Sequence, residues 1–247
     1  MATYELRPLE VGEILDRGIT LYRGYFGTLL GVAAVCQGPA AVASIYLALG
    51  GGLLLHPFVG GVGVFLSFFG WLFAAGATLR VISQAYLGSE VSLGDALAFA
   101  ARKLWPLFVA GLASGLLTFL ALLLLFVPGI VVACGYAVVS QVVVLETPER
   151  ATDALGRSWA LTKGFKGKAL AIGFVSWILV FLPGAAVAYF ARSTPEVGQV
   201  LNQMLSMLLK PIMACMFTLF YYDLRVRKEA FDLELLEKQI GVGDPMA

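Results

Sequence analysis

From residue 24 to residue 79 the chain runs for 56 residues without one Asp, Glu, Lys or Arg. A soluble domain of average composition carries charge at about one residue in four, and this chain carries it at only 13%. Residues 104–145 and 169–191 are also free of charge, and 197–222 are broken only by Lys210. A helix needs about 20 apolar residues to cross about 30 Å of hydrocarbon. The first two runs therefore hold two spans each, divided near residues 50–57 and at Pro128-Gly129, and the last two hold one each. The expected spans are 26–49, 59–83, 104–127, 129–146, 169–191 and 200–222.

Blocks such as 111–127 do not alternate as a transmembrane strand would, and a helix satisfies its own backbone hydrogen bonds in lipid. The fold class is an all-α membrane protein with six transmembrane helices. Residues 1–235 form a single helical membrane domain and 236–247 a flexible C-terminal tail. Lys and Arg collect on the cytoplasmic side of such proteins. With both termini cytoplasmic, fifteen of the seventeen fall inside, Arg192 falls outside and Lys210 lies within the last span. The first 23 residues hold Arg7, Arg17 and Arg23 and no apolar segment, so no cleaved signal peptide is expected and the first span is an anchor. A formal net charge of +1 provides no field for nucleic acid.

The cytoplasmic segments have two faces. Leu9, Val11, Ile14, Leu15, Ile19 and Tyr22 recur at helical spacing over residues 8–23, opposite Glu10, Glu13, Asp16 and Arg17. Residues 91–103 and 150–163 repeat the design, the latter with Ala154, Leu155 and Trp159 on the apolar side. Such helices lie in the headgroup plane, either cushioning the bundle or forming a collar for lipids or partners. Three of them, each feeding a span, suggest a three-fold internal repeat. The small-residue pairs Gly27/Gly31 and Gly111/Gly115 follow at similar distances and are expected to let helices approach closely. The spacings drift, and composition alone can generate such echoes. Pro128 is expected to make a hairpin, and Pro39 and Pro183 to kink their spans.

Three motifs in order carry a resemblance. They are Arg7-Pro8-Leu9-Glu10-Val11-Gly12-Glu13-Ile14-Leu15-Asp16-Arg17, then Ala154-Leu155-Gly156-Arg157-Ser158-Trp159 with Leu161-Thr162-Lys163-Gly164. The third is Tyr221-Tyr222-Asp223-Leu224-Arg225-Val226-Arg227-Lys228-Glu229 with Phe231-Asp232-Leu233. The set resembles the bacterial membrane-domain family that is fused, in some proteins, to glycerophosphoryl diester phosphodiesterase and otherwise occurs alone. The resemblance implies a helical bundle in a bacterial cytoplasmic membrane. It does not imply the phosphodiesterase reaction, which belongs to a separate soluble barrel with paired histidines and carboxylate ligands.

No enzyme and no cofactor are expected. The chain has one histidine, His56, in an outer connector, and no Asp or Glu inside a span, so neither a triad nor a carboxylate pair can be assembled. Cys36, Cys134 and Cys215 read as small packing residues. The intramembrane exception is Lys210. Counted along a helix it stands roughly 20 Å above Asp223, and a lysine near mid-bilayer costs on the order of 2.5–3.5 kcal/mol. Gln199, Asn202, Gln203, Ser206 and Lys210 fall on one helix face, with Pro211 next. That stripe is either a polar cleft that binds an anion such as a lipid phosphate, or the flank of a lysine reaching the headgroups. Arg80 and Asp223 are expected to pair and clamp the second span to the sixth.

Two functions remain open. One is a non-enzymatic accessory or scaffold interacting with membrane lipids, another membrane protein or itself. The other is a small transporter component with broken helices at Pro39, Pro183 and Lys210-Pro211.

Overall fold

The computed structural model describes residues 7–49 and 56–229; the expected tail, 236–247, lies outside them. The described residues form nine helices and no strand. They are α1 (Val11–Gly24), α2 (Phe26–Leu49), α3 (Pro57–Tyr86), α4 (Leu93–Leu124), α5 (Phe126–Gly135), α6 (Val139–Leu145), α7 (Asp153–Thr162), α8 (Lys166–Phe190) and α9 (Pro195–Glu229). Six stretches are long and apolar enough to cross a membrane: α2, α3, α4, α5 with α6, α8 and α9. Large apolar side chains stay exposed along them, among them Phe65, Trp71, Phe119, Leu123, Phe174, Phe181 and Leu201. Such a belt has no place in water and is what hydrocarbon covers.

The core is built around the second half of α9. From Pro211 to Val226 this helix buries Ile212, Met216, Leu219, Phe220, Tyr221, Tyr222 and Leu224. α1, α2, α3 and α8 all pack against it. α1 runs antiparallel along it: the Leu9 amide donates to Asp223, Gly18 abuts Met216, and the Tyr22 hydroxyl donates to the Leu208 carbonyl at 2.9 Å. Of the apolar stripe expected to rest on headgroups, Leu9 and Ile14 are buried, and Val11, Leu15, Ile19 and Tyr22 are half-buried against the protein core.

The expectation of broken helices is corrected. Pro39, Pro183 and Pro211 lie inside continuous helices, so none of them divides a span into half-helices. The carbonyl that Pro211 frees is that of Met207, four residues back; Tyr22 donates to the next one along, Leu208. The hairpin at Pro128 is present: Leu125 is extended between α4 and α5, and Pro128 sits in the first turn of α5, where a missing N–H costs nothing.

The one internal break separates α5 from α6 at Tyr136–Val138. Its exposed backbone is capped by α7. Ser158 and Thr162, both fully buried, donate to the Gly135 carbonyl at 2.9 and 3.1 Å. Trp159 lies so close that a Cβ on Gly135 would sit 2.2 Å from its ring. The Ser158-Trp159…Thr162 motif thus closes a gap in the fourth span.

The glycine pairs are also corrected. A Cβ at Gly27, Gly111 or Gly115 would meet nothing within 4 Å, and one at Gly31 would reach only the Leu93 side chain at 3.6 Å. A close helix approach occurs instead at Gly70, where a Cβ would stand 2.2 Å from the Cys36 carbonyl oxygen. The three two-faced segments also enter their spans differently. α1 breaks at Tyr25, residues 93–103 continue without interruption into α4, and α7 stops at Gly164 with φ +89°.

Candidate functional site: a polar pocket at Lys210 and a charged clamp

Lys210 faces protein. It lines a pocket of about 190 Å³ between α2, α3 and α9, with Ala33, Gln37, Trp71, Ala74, Ala75, Thr78, Pro211, Met213 and Ala214. That is room for several waters or one small polar group. Gln37 is 8% and Thr78 5% exposed, yet neither side chain makes a hydrogen bond among the described residues. Lys210 has no ion pair or hydrogen-bond partner there either, and no carboxylate lines the pocket. The polar atoms of Gln37 and Thr78 open into the pocket and are not sealed in the core, where the unpaired buried side-chain atoms among the described residues are Arg80 Nε, Gln84 Oε1 and Gln141 Oε1. One cation and two neutral hydrogen-bonding groups converging without partners can solvate an anion.

The depth of the pocket follows from its neighbours. On α3 it is bounded by residues 71–78, and in the same stretch Gly76 packs against Ala100 and Leu107 of α4. Lys103 lies on that turn of α4. Ser83 hydrogen-bonds to Tyr222 at 2.7 Å, so Lys210, twelve residues back along α9, stands beside Trp71, one to two turns beyond the level of Gly76 and Lys103. The pocket therefore sits in the apolar stretch above the last charged turn of α4, with Lys210 roughly 18 Å from Tyr222 along α9.

The remaining stripe does not join it. Gln199 is exposed; Asn202 turns to α8, with its Oδ1 3.1 Å from where a Gly184 Cβ would be; Ser206 donates to the Gln203 carbonyl at 2.9 Å. Gln37 and Thr78 are the partners that the sequence reading missed. Each is flanked on both sides by non-polar residues, and no periodicity marks it.

The expected Arg80–Asp223 pair does not form. Asp223, 1% exposed, accepts from the Leu9 amide at 2.7 Å, from Lys168 at 2.5 Å and from Arg227 at 2.9 Å. Arg227 and Lys168 also donate to the Leu9 carbonyl. Arg80 instead lies over the Phe99 ring at 4.8 Å. Asp223 and Arg227 are one turn apart, and Lys168 at the start of α8 closes the cage, while Arg80 is held on Phe99 and takes no part in it. Nearby, Glu146 accepts from Arg157 at 2.6 Å and from Tyr221 at 2.9 Å, and Arg157 also pairs with Glu229. Its bonds to Glu229 and Glu146 push the Arg157 pKa further up. The opening, central and closing motifs thereby meet at one end of the molecule.

Comparisons with family models, with characterised proteins and with solved structures gave no match to the chain.

Proposed function

We propose that the protein is a non-enzymatic, multi-pass protein of a bacterial cytoplasmic membrane that holds the anionic group of a membrane ligand at Lys210. It would act as a lipid- or partner-interacting accessory or scaffold. The observation that carries this reading is the convergence of Lys210, Gln37 and Thr78 on one pocket with no carboxylate and no protein partner. A lysine withdrawn from water is costly unless something neutralises it, and here the protein does not. The charged clamp at Asp223 would face the cytoplasm by the asymmetry of Lys and Arg. Residence in the membrane-domain family that the three motifs resemble is part of the same proposal. The transporter reading has less support, because α2, α8 and α9 continue through the prolines that were to break them.

Native mass spectrometry of the detergent-purified protein, after incubation with phosphatidylglycerol, tests the reading. Wild type and Lys210→Arg should retain the lipid, and Lys210→Met should lose it. Equal retention by Lys210→Met, with unchanged or raised thermal stability, would show a lysine that only reaches headgroups and would overturn the proposal.

A further inference from the structure

The Lys210 pocket is one of two that share a wall. Trp71 and Ala75 of α3 line it, and both also line a second cavity, a groove of about 390 Å³ between α3 and α4. That groove is apolar apart from Ser140; Phe68, Leu107, Phe108 and Phe119 form its sides, and Gly111 and Gly115 leave it open. The two glycines touch no neighbouring helix. Their missing side chains make the hollow instead of a helix contact.

We infer that the two cavities together bind one anionic diacyl phospholipid, with its phosphate at Lys210 and an acyl chain in the α3–α4 groove. This rests on the reading of Lys210 as an anion site. Direction supports it. The groove begins at Leu107, which packs on Gly76 a turn or so nearer the charged end than Lys210, passes Trp71 and rises to Phe119. Those 12 residues climb roughly 18 Å away from the charged end. A lipid of the leaflet on the charged side has this orientation, with its head at the pocket and its chain pointing toward mid-bilayer. A lipid of the opposite leaflet would be reversed. Charge complementarity selects the head. Gln37 and Thr78, both more than nine-tenths buried, and the unpaired ammonium are matched by a phosphodiester, and with no carboxylate in the pocket nothing there would hold a zwitterion's cation.

The test titrates wild type, Lys210→Met, Gly111→Leu and Gly115→Leu with dihexanoyl and dioleoyl phosphatidylglycerol, read by native mass spectrometry. Leucine at either glycine has open space to enter and fills the groove. Gly111→Leu and Gly115→Leu should weaken dioleoyl binding by about tenfold, the effect of excluding roughly two methylenes from the groove. They should leave dihexanoyl binding unchanged, while Lys210→Met weakens both. If Lys210→Met alters neither lipid, the anion reading fails and this inference fails with it. If Lys210→Met weakens both and the leucine variants bind dioleoyl lipid as wild type does, the anion site stands and the chain lies elsewhere. Loss of a wild-type dimer in the leucine variants, with lipid binding intact, would assign the groove to a second copy. A readout that needs no variant is photolabelling by a phosphatidylglycerol with a diazirine near the acyl terminus. Labels should fall between Leu107 and Phe119, and labels confined to α8 would overturn the inference.

Discussion

Asp223 shows how much one buried carboxylate can organise. Its partners come from the segment before α1, from α8 and from its own helix, so the N-terminus and the last two spans are fastened at a single point. Removing one partner of a buried ionic cluster typically costs about 3–5 kcal/mol, because the remaining charges stay buried without it. Asp223→Ala should therefore lower the unfolding midpoint in detergent sharply, and Lys168→Met should do so less, since Arg227 remains. Arg80→Met should cost at most about 1 kcal/mol, the scale of a cation–π contact. A larger loss for Arg80→Met than for Lys168→Met would contradict the assignment. The sequence marks Asp223 as a charge at a span boundary, and that much was legible. Its partner was not, because Arg80, Lys168 and Arg227 all end near the same surface and only the helix packing chooses among them.

At the scale of elements, apolar runs located all six spans, and their ends moved by a few residues at most where a polar helix was not fused to them. α4 and α9 are the exceptions: α4 absorbs residues 93–103, since nothing between Lys103 and Leu104 stops a helix, and α9 runs from Pro195 to Glu229, past both ends of the expected 200–222. The fourth span is divided because Gly135, with no side chain, admits Trp159, and because Ser158 and Thr162 satisfy the carbonyl exposed there. A charge count cannot see a break of this kind. Gly135→Ala and Gly70→Ala should each destabilise by about 1–3 kcal/mol, the usual cost of overpacking, and Gly111→Ala and Gly115→Ala should be near neutral. Thermal unfolding in detergent decides it; a marked loss at Gly115 alone would place that glycine in a helix contact. Small-xxx-small spacing was misleading here because the same absence of side chains that permits a close approach also makes a groove.

For the whole molecule, the segregation of charge is the feature that sequence and structure share: the three motifs gather at one end and the exposed apolar belt lies beyond them. If that end is cytoplasmic, membrane-impermeant maleimide added from outside intact cells should modify His56→Cys and Ser193→Cys and spare Ser92→Cys. Outside labelling at Ser92 would reverse or break the topology. The candidate site was half legible. Lys210 stands out as the lone charge in a span, but Gln37 and Thr78 join it only through the pairing of α2 with α3 and of both with α9. The most direct measurement of the central claim is an experimental density map of the protein in phosphatidylglycerol nanodiscs. The account predicts phosphate density within hydrogen-bond distance of Lys210 Nζ, between Gln37 and Thr78. A Lys210 side chain turned out toward the bilayer, with the pocket empty of lipid, would contradict it.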